Sequence, residues 1–198
     1  LLARGESVTC LVQQKYREAA ERRAGKLLDA TGARSDRLSL VTGDITEADL
    51  GLSDPGTHRE QADEVYHLAA IYDLGVDRGP AEAVNVRGTE RVLDFANRAA
   101  VDRVHYVSTC YVSGRHDGVF GPDDLDVGQS FNNHYEATKF EAEVAVQRRM
   151  DEGLSATIYR PAIVVGDSDT GATEKYDGLY YLLDLIDRQP GVAAVPVQ

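Results

Sequence analysis

The chain has 198 residues, of which 42% are hydrophobic and 27% charged, a composition typical of one globular domain in water. The 33 acidic side chains outnumber the 21 Lys and Arg, and the formal net charge of −12 would repel a phosphate backbone. We therefore expect no nucleic-acid partner. No apolar run approaches the length that crosses a bilayer, so we expect no membrane span.

Three further features of the sequence bear on metal binding and on the compartment of the protein. Cys10 and Cys110 each lie in an apolar stretch typical of a strand, which predicts buried, unreactive thiols. The five His residues are scattered without a metal-binding spacing, so we expect no metal site. Leu1 begins the chain with neither an initiating Met nor an apolar signal sequence. These features indicate an interior piece of a longer, cytoplasmic protein.

Apolar runs rich in Val, Ile and Tyr alternate with helix-length segments, which predicts an α/β fold with a doubly wound parallel sheet. The predicted strands are residues 7–13, 37–42, 64–68, 103–108 and 156–159. The predicted helices are residues 15–28, 81–100, 133–152 and 178–188. Residues 113–131 are rich in Gly and Asp and irregular. They either shape a substrate pocket or form a solvated connection.

Tyr135 and Lys139 are the strongest local signal for chemistry. They lie four residues apart on a predicted helix, so their side chains share one face. An ammonium beside a phenol favours the phenolate and lowers a pKa that is about 10 in free tyrosine. Tyr135 could then exchange a proton near neutral pH, which suits carbonyl reduction. The alternative is a Tyr and a Lys on a helix surface with no chemistry.

Thr109 supports the first interpretation by its place in the chain. It follows the strand 103–108 and precedes the helix that carries Tyr135. A hydroxyl at the carboxyl end of a parallel strand lies where such sheets bind ligands. The alternative is a Thr that only caps the local backbone.

Together with other short motifs, these residues resemble the extended short-chain dehydrogenase/reductase family. The resemblance runs along nearly the whole chain, because the motifs occur in that family's order and at its spacing. The matching motifs are Gly43-Asp44-Ile45-Thr46, His67-Leu68-Ala69-Ala70, Asn85-Val86-Arg87-Gly88-Thr89, Ser108-Thr109 with Gly114, Tyr135 to Lys139, and Arg160-Pro161 with Gly166.

Three further stretches resemble the thioester reductase and fatty acyl-CoA reductase branch of that family, also called the male-sterility branch. They are Cys10-Leu11-Val12-Gln13, Val107 to Val112, and Gly166 through Gly178 to Leu182. The resemblance implies an incomplete dinucleotide-binding Rossmann domain over residues 1–165 and the start of a substrate-binding portion over residues 166–198. The first strand and its glycine-rich turn would precede Leu1, and most of the substrate domain would follow Gln198.

The resemblance also implies a role for each site residue. Tyr135 would protonate the developing oxyanion, and Thr109 would hydrogen-bond the same oxygen. Lys139 would bind the nicotinamide ribose and lower the Tyr135 pKa. The cofactor-binding residues would be Lys15, Asp44, Ile45, Leu68, Ala69, Ala70, Lys139 and Pro161.

The implied activity is that of an NAD(P)-dependent oxidoreductase reducing an acyl thioester, on coenzyme A or a carrier protein, to an aldehyde or alcohol. We expect NADPH as the preferred cofactor, with NADH as the alternative. Gln13, Gln14 and Lys15 stand where an NAD enzyme usually carries an acid, although the branch usually has Arg at Gln13. Two other functions stay open: a nucleotide-sugar epimerase or dehydratase, and a non-catalytic cofactor-binding protein. The sequence leaves the acyl chain, the number of electrons transferred and the oligomeric state open.

Overall fold

The structure is a computed structural model that describes residues 1–173, 176 and 179–188. The chain forms two compact units, Leu1–Arg160 and Pro161–Gln198. The sequence predicted a boundary between residues 165 and 166. The assignment of the two parts to cofactor and substrate stays a prediction.

The first unit is built on five parallel strands, which confirms the predicted α/β fold class. The strands are β1 (Val8–Val12), β2 (Leu38–Thr42), β3 (Glu64–His67), β4 (Arg103–Val107) and β5 (Ala156–Tyr159). They form two sheets rather than one continuous sheet. One sheet pairs β1 with β2, and the other has the order β3, β4, β5 with β4 in the centre. All five predicted strands are therefore present.

The helices of the first unit lie between the strands, as the alternating pattern predicts. They are α1 (Arg17–Thr31), α2 (Pro55–Glu60), α3 (Arg78–Ala81), α4 (Thr89–Ala99) and α5 (His134–Asp151). A π-helix, Glu82–Gly88, joins α3 to α4, so the predicted helix 81–100 is interrupted in its hydrogen bonding. The short helix α2 was not predicted. Among the described residues, no helix combines the length and apolarity needed to cross a membrane.

The start of α5 is fixed by a side-chain cap. The Asn133 side chain accepts a hydrogen bond from the Glu136 backbone N–H at 2.9 Å, which satisfies one of the unpaired amides of the first turn. This cap places Tyr135 in the first turn of the helix and Lys139 one turn later.

The main hydrophobic core lies between the three-stranded sheet and the two long helices α4 and α5. Its buried members are Leu93, Ala96, Val101, Val104, Tyr106, Ala142, Ala145 and Val146. Val104 and Tyr106 point from β4 into this core. Cys10 and Cys110 are free and only partly buried, so the prediction of buried thiols is wrong. Burial nevertheless raises the pKa of Cys10.

The second unit contains a tight turn followed by helix α6 (Leu179–Arg188). The Asp167 side chain accepts hydrogen bonds from the backbone N–H groups of Asp169 and Thr170 at 3.1 and 2.8 Å. The Tyr180 hydroxyl accepts one from the Gly166 N–H at 2.7 Å. Helix α6 matches the predicted helix 178–188, whose first residue lies outside the described residues.

Candidate active site

The predicted site residues follow the carboxyl ends of four strands. Lys15 follows β1, Asp44 follows β2, Leu68 follows β3 and Thr109 follows β4. In parallel sheets, this is the edge at which ligands bind.

Thr109 and Tyr135 meet at the end of β4. Burial raises the pKa of Tyr135 above its ordinary value, and a hydrogen bond with the Thr109 hydroxyl opposes that rise in part. Thr109 is itself buried, and its hydroxyl accepts the Tyr111 N–H at 3.3 Å. The sequence predicted a lowered Tyr135 pKa, and this expectation is wrong because desolvation of the half-buried phenol outweighs the effects that favour the phenolate.

Lys139 is buried, and its ammonium points to the end of β4. Its Nζ donates to the Tyr106 hydroxyl at 2.8 Å and to the Val107 carbonyl at 2.9 Å. It also lies 4.4 Å from the centre of the Tyr106 ring. Burial lowers the Lys139 pKa to about 8, against an opposing influence of Glu143. A small change in its surroundings would therefore change its charge near neutral pH.

Glu143 is a member of this site that the sequence reasoning missed. It is completely buried, and one carboxylate oxygen accepts the Ser108 hydroxyl. The other oxygen accepts Arg160 Nε at 2.9 Å and Nη2 at 2.5 Å. A signal was present in the sequence, because Tyr135, Lys139 and Glu143 recur at a four-residue spacing along one helix face.

Asn85 lies in the π-helix and was recognised only as part of a helix-opening motif. Its side-chain oxygen accepts the Ile71 N–H at 2.8 Å, and its Nδ2 donates to the Ile71 carbonyl at 3.0 Å. The same Nδ2 donates to the Thr138 hydroxyl at 3.0 Å. Asn85 thus ties the segment after β3 to helix α5. π-Helical turns are frequent at functional sites because they redirect a side chain in this way.

His67 completes the buried polar network at the end of β3. Its Nε2 shares a hydrogen bond with the Thr89 hydroxyl at 2.8 Å. Burial, helped by the charge of Lys139, lowers the His67 pKa to about 3. The imidazole is therefore neutral at physiological pH and does not add a second cation beside Lys139.

Asp44 follows β2 and connects the residues after β1 with those after β2 by hydrogen bonds. Its carboxylate accepts Gln13 Nε2 at 2.6 Å and the Thr46 N–H at 2.8 Å. Burial would raise the Asp44 pKa, but the hydrogen bonds from Thr46 and Gln13 and the charge of Lys15 outweigh it and lower the pKa. Asp44 and Lys15 are thus electrostatically coupled, as neighbours in one site would be.

The remaining predicted cofactor residues differ in their exposure. Ile45 is partly buried and packs so closely on Gly88 that a Cβ there would lie 2.8 Å from Ile45 Cδ1. Leu68 is 65% exposed. Ala69 is exposed, and Ala70 is partly buried. Pro161 belongs to the second unit. The roles assigned to these residues stay predictions.

The chain is similar to parts of several solved structures and curated proteins. The terminal R domain from the myxalamid PKS-NRPS biosynthetic pathway superposes with a TM-score of 0.82 at 30% identity, over 96% of this chain and 50% of that one. A linear gramicidin synthase polypeptide of Brevibacillus parabrevis is 29% identical over 86% of this chain. This chain covers 4% of that protein, so it spans only a small part of the synthase.

Other relatives are proteins whose names indicate different reactions. The 3 beta-hydroxysteroid dehydrogenase/Delta 5-->4-isomerase of Mycobacterium tuberculosis is 33% identical over 82% of this chain and 44% of its own length. UDP-glucuronic acid 4-epimerase from Bacillus cereus, solved with NAD, has a TM-score of 0.57 at 25% identity over 70% of this chain and 43% of that one.

A match to a family profile shows to which protein family the chain belongs. The profile described as male sterility protein, a family of NAD-binding domains, matches residues 1–192. A nicotinamide dinucleotide is accordingly the cofactor of the family. The chain belongs to the NAD-binding male sterility protein family, within the extended short-chain dehydrogenases/reductases.

Proposed function

We propose that the protein carrying this chain is an NAD(P)H-dependent reductase that reduces an acyl thioester, on coenzyme A or a carrier protein, to an aldehyde or alcohol. The observation that carries this proposal lies at the carboxyl end of β4, where Tyr135 is hydrogen-bonded to Thr109 and Lys139 is hydrogen-bonded to the neighbouring Val107 carbonyl. The similarity to the myxalamid R domain and to linear gramicidin synthase supports a thioester as the substrate. Membership of the family alone would leave the substrate undefined.

The residues at the strand ends fit a nicotinamide dinucleotide. The Lys139 ammonium suits the hydroxyl groups of the nicotinamide ribose, and Asp44 and Ile45 would flank the adenine. Leu68 and Ile45 offer apolar surface to a flat ring. A glycine-rich turn for the pyrophosphate does not occur within residues 1–198, so these contacts cover only part of the cofactor.

The raised pKa of Tyr135 suits a proton donor. The phenol keeps its proton at neutral pH, and that proton is available for the carbonyl oxygen of the thioester as negative charge develops there. The Thr109 hydroxyl donates a hydrogen bond to the same oxygen. A nicotinamide cofactor, when bound, would supply the hydride for the carbonyl carbon. The carbon–sulfur bond then breaks as the new hydroxyl group returns its proton to the sulfur, and the products are a free thiol and an aldehyde.

Lys139 assists Tyr135 by its charge rather than by direct contact. Its ammonium donates to Tyr106 and to the Val107 carbonyl, and so it remains fixed beneath the site. A buried positive charge favours the phenolate that forms once the proton has left. Its lowered pKa limits this help to pH values at which the ammonium persists.

NADPH is the proposed preferred cofactor. The turn after β1 carries Gln13, Gln14 and Lys15, and no carboxylate there would repel a 2′-phosphate. Lys15 is exposed at this turn, where a phosphate could approach its ammonium. The Gln13 side chain already donates a hydrogen bond to the Asp44 carboxylate, so Lys15 is the proposed phosphate contact.

The proposed activity is tested with the full-length protein and reduced cofactor. Oxidation of NADPH is followed with a medium-chain acyl-CoA, the same acyl group on a carrier protein, and a UDP-sugar at equal concentrations. The UDP-sugar is also analysed for conversion by chromatography, because epimerisation consumes no NADPH. Turnover with either thioester supports the proposal. A nucleotide-sugar product with no thioester turnover would replace it with the epimerase alternative, which the similarity to UDP-glucuronic acid 4-epimerase favours.

A further inference from the structure

The buried carboxylate of Glu143 connects three parts of the first unit. It lies on α5, one turn beyond Lys139, and it receives hydrogen bonds from Ser108 after β4 and from Arg160 after β5. Glu143 is 0% exposed and Ser108 is 4% exposed. A fully buried carboxylate needs such partners, since water cannot replace them.

Ser108 lies between Val107 and Thr109, which form hydrogen bonds with Lys139 and Tyr135. The Val107 carbonyl accepts the Lys139 ammonium at 2.9 Å, and the Thr109 hydroxyl bonds to Tyr135. Ser108 N–H also donates to the Tyr159 carbonyl at 2.7 Å, which joins this point to β5. The hydrogen bond between Ser108 and Glu143 therefore fastens the end of β4 to the helix that carries Tyr135 and Lys139.

Arg160 forms an ion pair with the buried Glu143 carboxylate. Its guanidinium also donates to the carbonyls of Gly121, Pro122 and Asp124 at 3.1, 3.3 and 2.7 Å. Buried ion pairs contribute little to stability compared with apolar packing of the same shape. Such a pair can instead fix the relative position of two elements, and here it fixes α5 against the end of β5.

We propose that Glu143 is a positioning residue for the reaction: through Ser108 it sets the register of Val107 and Thr109 against Lys139 and Tyr135. The negative charge of Glu143 also opposes the effect of burial on Lys139, one turn away on α5. This inference rests on the proposed function for its effect on turnover. Its effect on Lys139 is independent of any substrate.

The charged and titratable groups near Lys139 in the described part of the chain are few. Tyr106 faces it from β4, and His67 faces it from the end of β3. Glu143 and Tyr135 lie one turn away on α5, and Arg160 neutralises Glu143 from the far side. The charge of Glu143 opposes the lowering of the Lys139 pKa by burial, so removing that charge should lower this pKa further.

The test uses three variants of the full-length protein: Ser108→Ala, Glu143→Gln and, as a control, Glu141→Gln. Glu141 lies on the same helix but pairs with Arg78 at the surface. Two quantities are measured: kcat and KM with the acyl thioester, and the pH dependence of NADPH binding without substrate, by fluorescence.

We expect Ser108→Ala and Glu143→Gln to lower kcat by about tenfold or more with KM changed less than about threefold, because small misplacements of reacting groups are costly. Glu143→Gln should also move the alkaline midpoint of NADPH binding down by about half a pH unit or more. Glu141→Gln should change neither quantity.

An unchanged midpoint in a folded Glu143→Gln variant would overturn the proposal, whatever happens to kcat. A shifted midpoint in a protein that reduces no thioester would refute the proposed function and leave the positioning role standing. If Glu143→Gln does not fold, Ser108→Ala decides, and a kcat within about twofold of wild type would overturn the proposal.

Discussion

The first unit has two halves, one with β1, α1 and β2 and one with the three-stranded sheet, α4 and α5, and they differ in how far their side chains are buried. Helix α1 has 15 residues and none of them is buried, and no residue of β1 or β2 is fully buried. Helix α5 has 18 residues, and its seven buried ones include three charged side chains, Glu136, Lys139 and Glu143. The half that carries the proposed proton donor is therefore the half that excludes water.

This difference follows the chemistry that each half is proposed to perform. Proton transfer depends on shifted pKa values, and burial with few partners produces them at Tyr135 and Lys139. Recognition of a ribose or phosphate requires side chains that a ligand can reach, such as Lys15. Surface ion pairs such as Arg17–Glu21, at 2.8 Å, add little stability to α1. Local opening should therefore be easier around α1 than around α5.

The largest expected effect concerns the proton donor of the buried half. Tyr135→Phe removes one hydroxyl and keeps the ring, so kcat for thioester reduction should fall by about 10² to 10⁴-fold. Tyr16→Phe, at an exposed tyrosine in the other half, is the matched control and should leave kcat unchanged. Steady-state oxidation of NADPH by the full-length protein measures both. A Tyr135→Phe variant within a few-fold of wild type would remove Tyr135 from the mechanism.

The second prediction compares the two halves by packing. Leu93 is 1% exposed in the main core, and Leu93→Ala should lower the free energy of unfolding by about 2–5 kcal/mol. Leu27 on α1 is 52% exposed, and Leu27→Ala should change it by less than about 0.5 kcal/mol. Urea denaturation of both variants gives the two values. Similar losses at the two sites would show that α1 is as well packed as α4.

The third prediction uses His67, whose pKa of about 3 lies far below the 6.5 of an unfolded histidine. Between these values the unfolded chain binds a proton that the folded chain does not. The stability that neutral His67 contributes is therefore complete above pH 6.5 and declines as the pH falls toward 3. The slope is at most about 1.4 kcal/mol per pH unit.

Denaturation from pH 7 to pH 4 measures this slope. His67→Asn should make the fall in unfolding free energy shallower across that range. An identical slope in the two proteins would mean that His67 is not held neutral in the folded state.

The smallest expected effect lies in the exposed half. Lys15→Ala should reduce the ratio of kcat/KM for NADPH to that for NADH by about fivefold, since an exposed charge pair is worth about 1 kcal/mol. Lys26→Ala, farther along the same surface on α1, is the control and should leave the ratio unchanged. A full-length wild-type protein that prefers NADH would refute the proposed cofactor preference itself.

The strands and the catalytic helix were predictable because their signals are local. Each strand contains β-branched or aromatic residues, and the Asn133 cap marks the start of α5. The π-helix was not predictable, because Glu82–Gly88 keeps the apolar spacing of a helix while its hydrogen bonding shifts.

The electrostatics of the site depend on contacts between distant residues, which the sequence does not display. Glu143 resembles a surface charge on a helix until β4 and β5 bring Ser108 and Arg160 to it. The Tyr135 pKa was predicted in the wrong direction because the spacing to Lys139 is visible in the sequence and the desolvation is not.

The central claim is that this chain forms part of a reductase in which hydride reaches a thioester carbonyl. Full-length protein incubated with an acyl-CoA and NADPH deuterated at the transferring carbon tests it most directly, with the product analysed by mass spectrometry. We predict one deuterium on the former carbonyl carbon of the aldehyde and, where reduction continues, two in the alcohol. A product without deuterium, or no product while the protein binds NADPH, would contradict the claim.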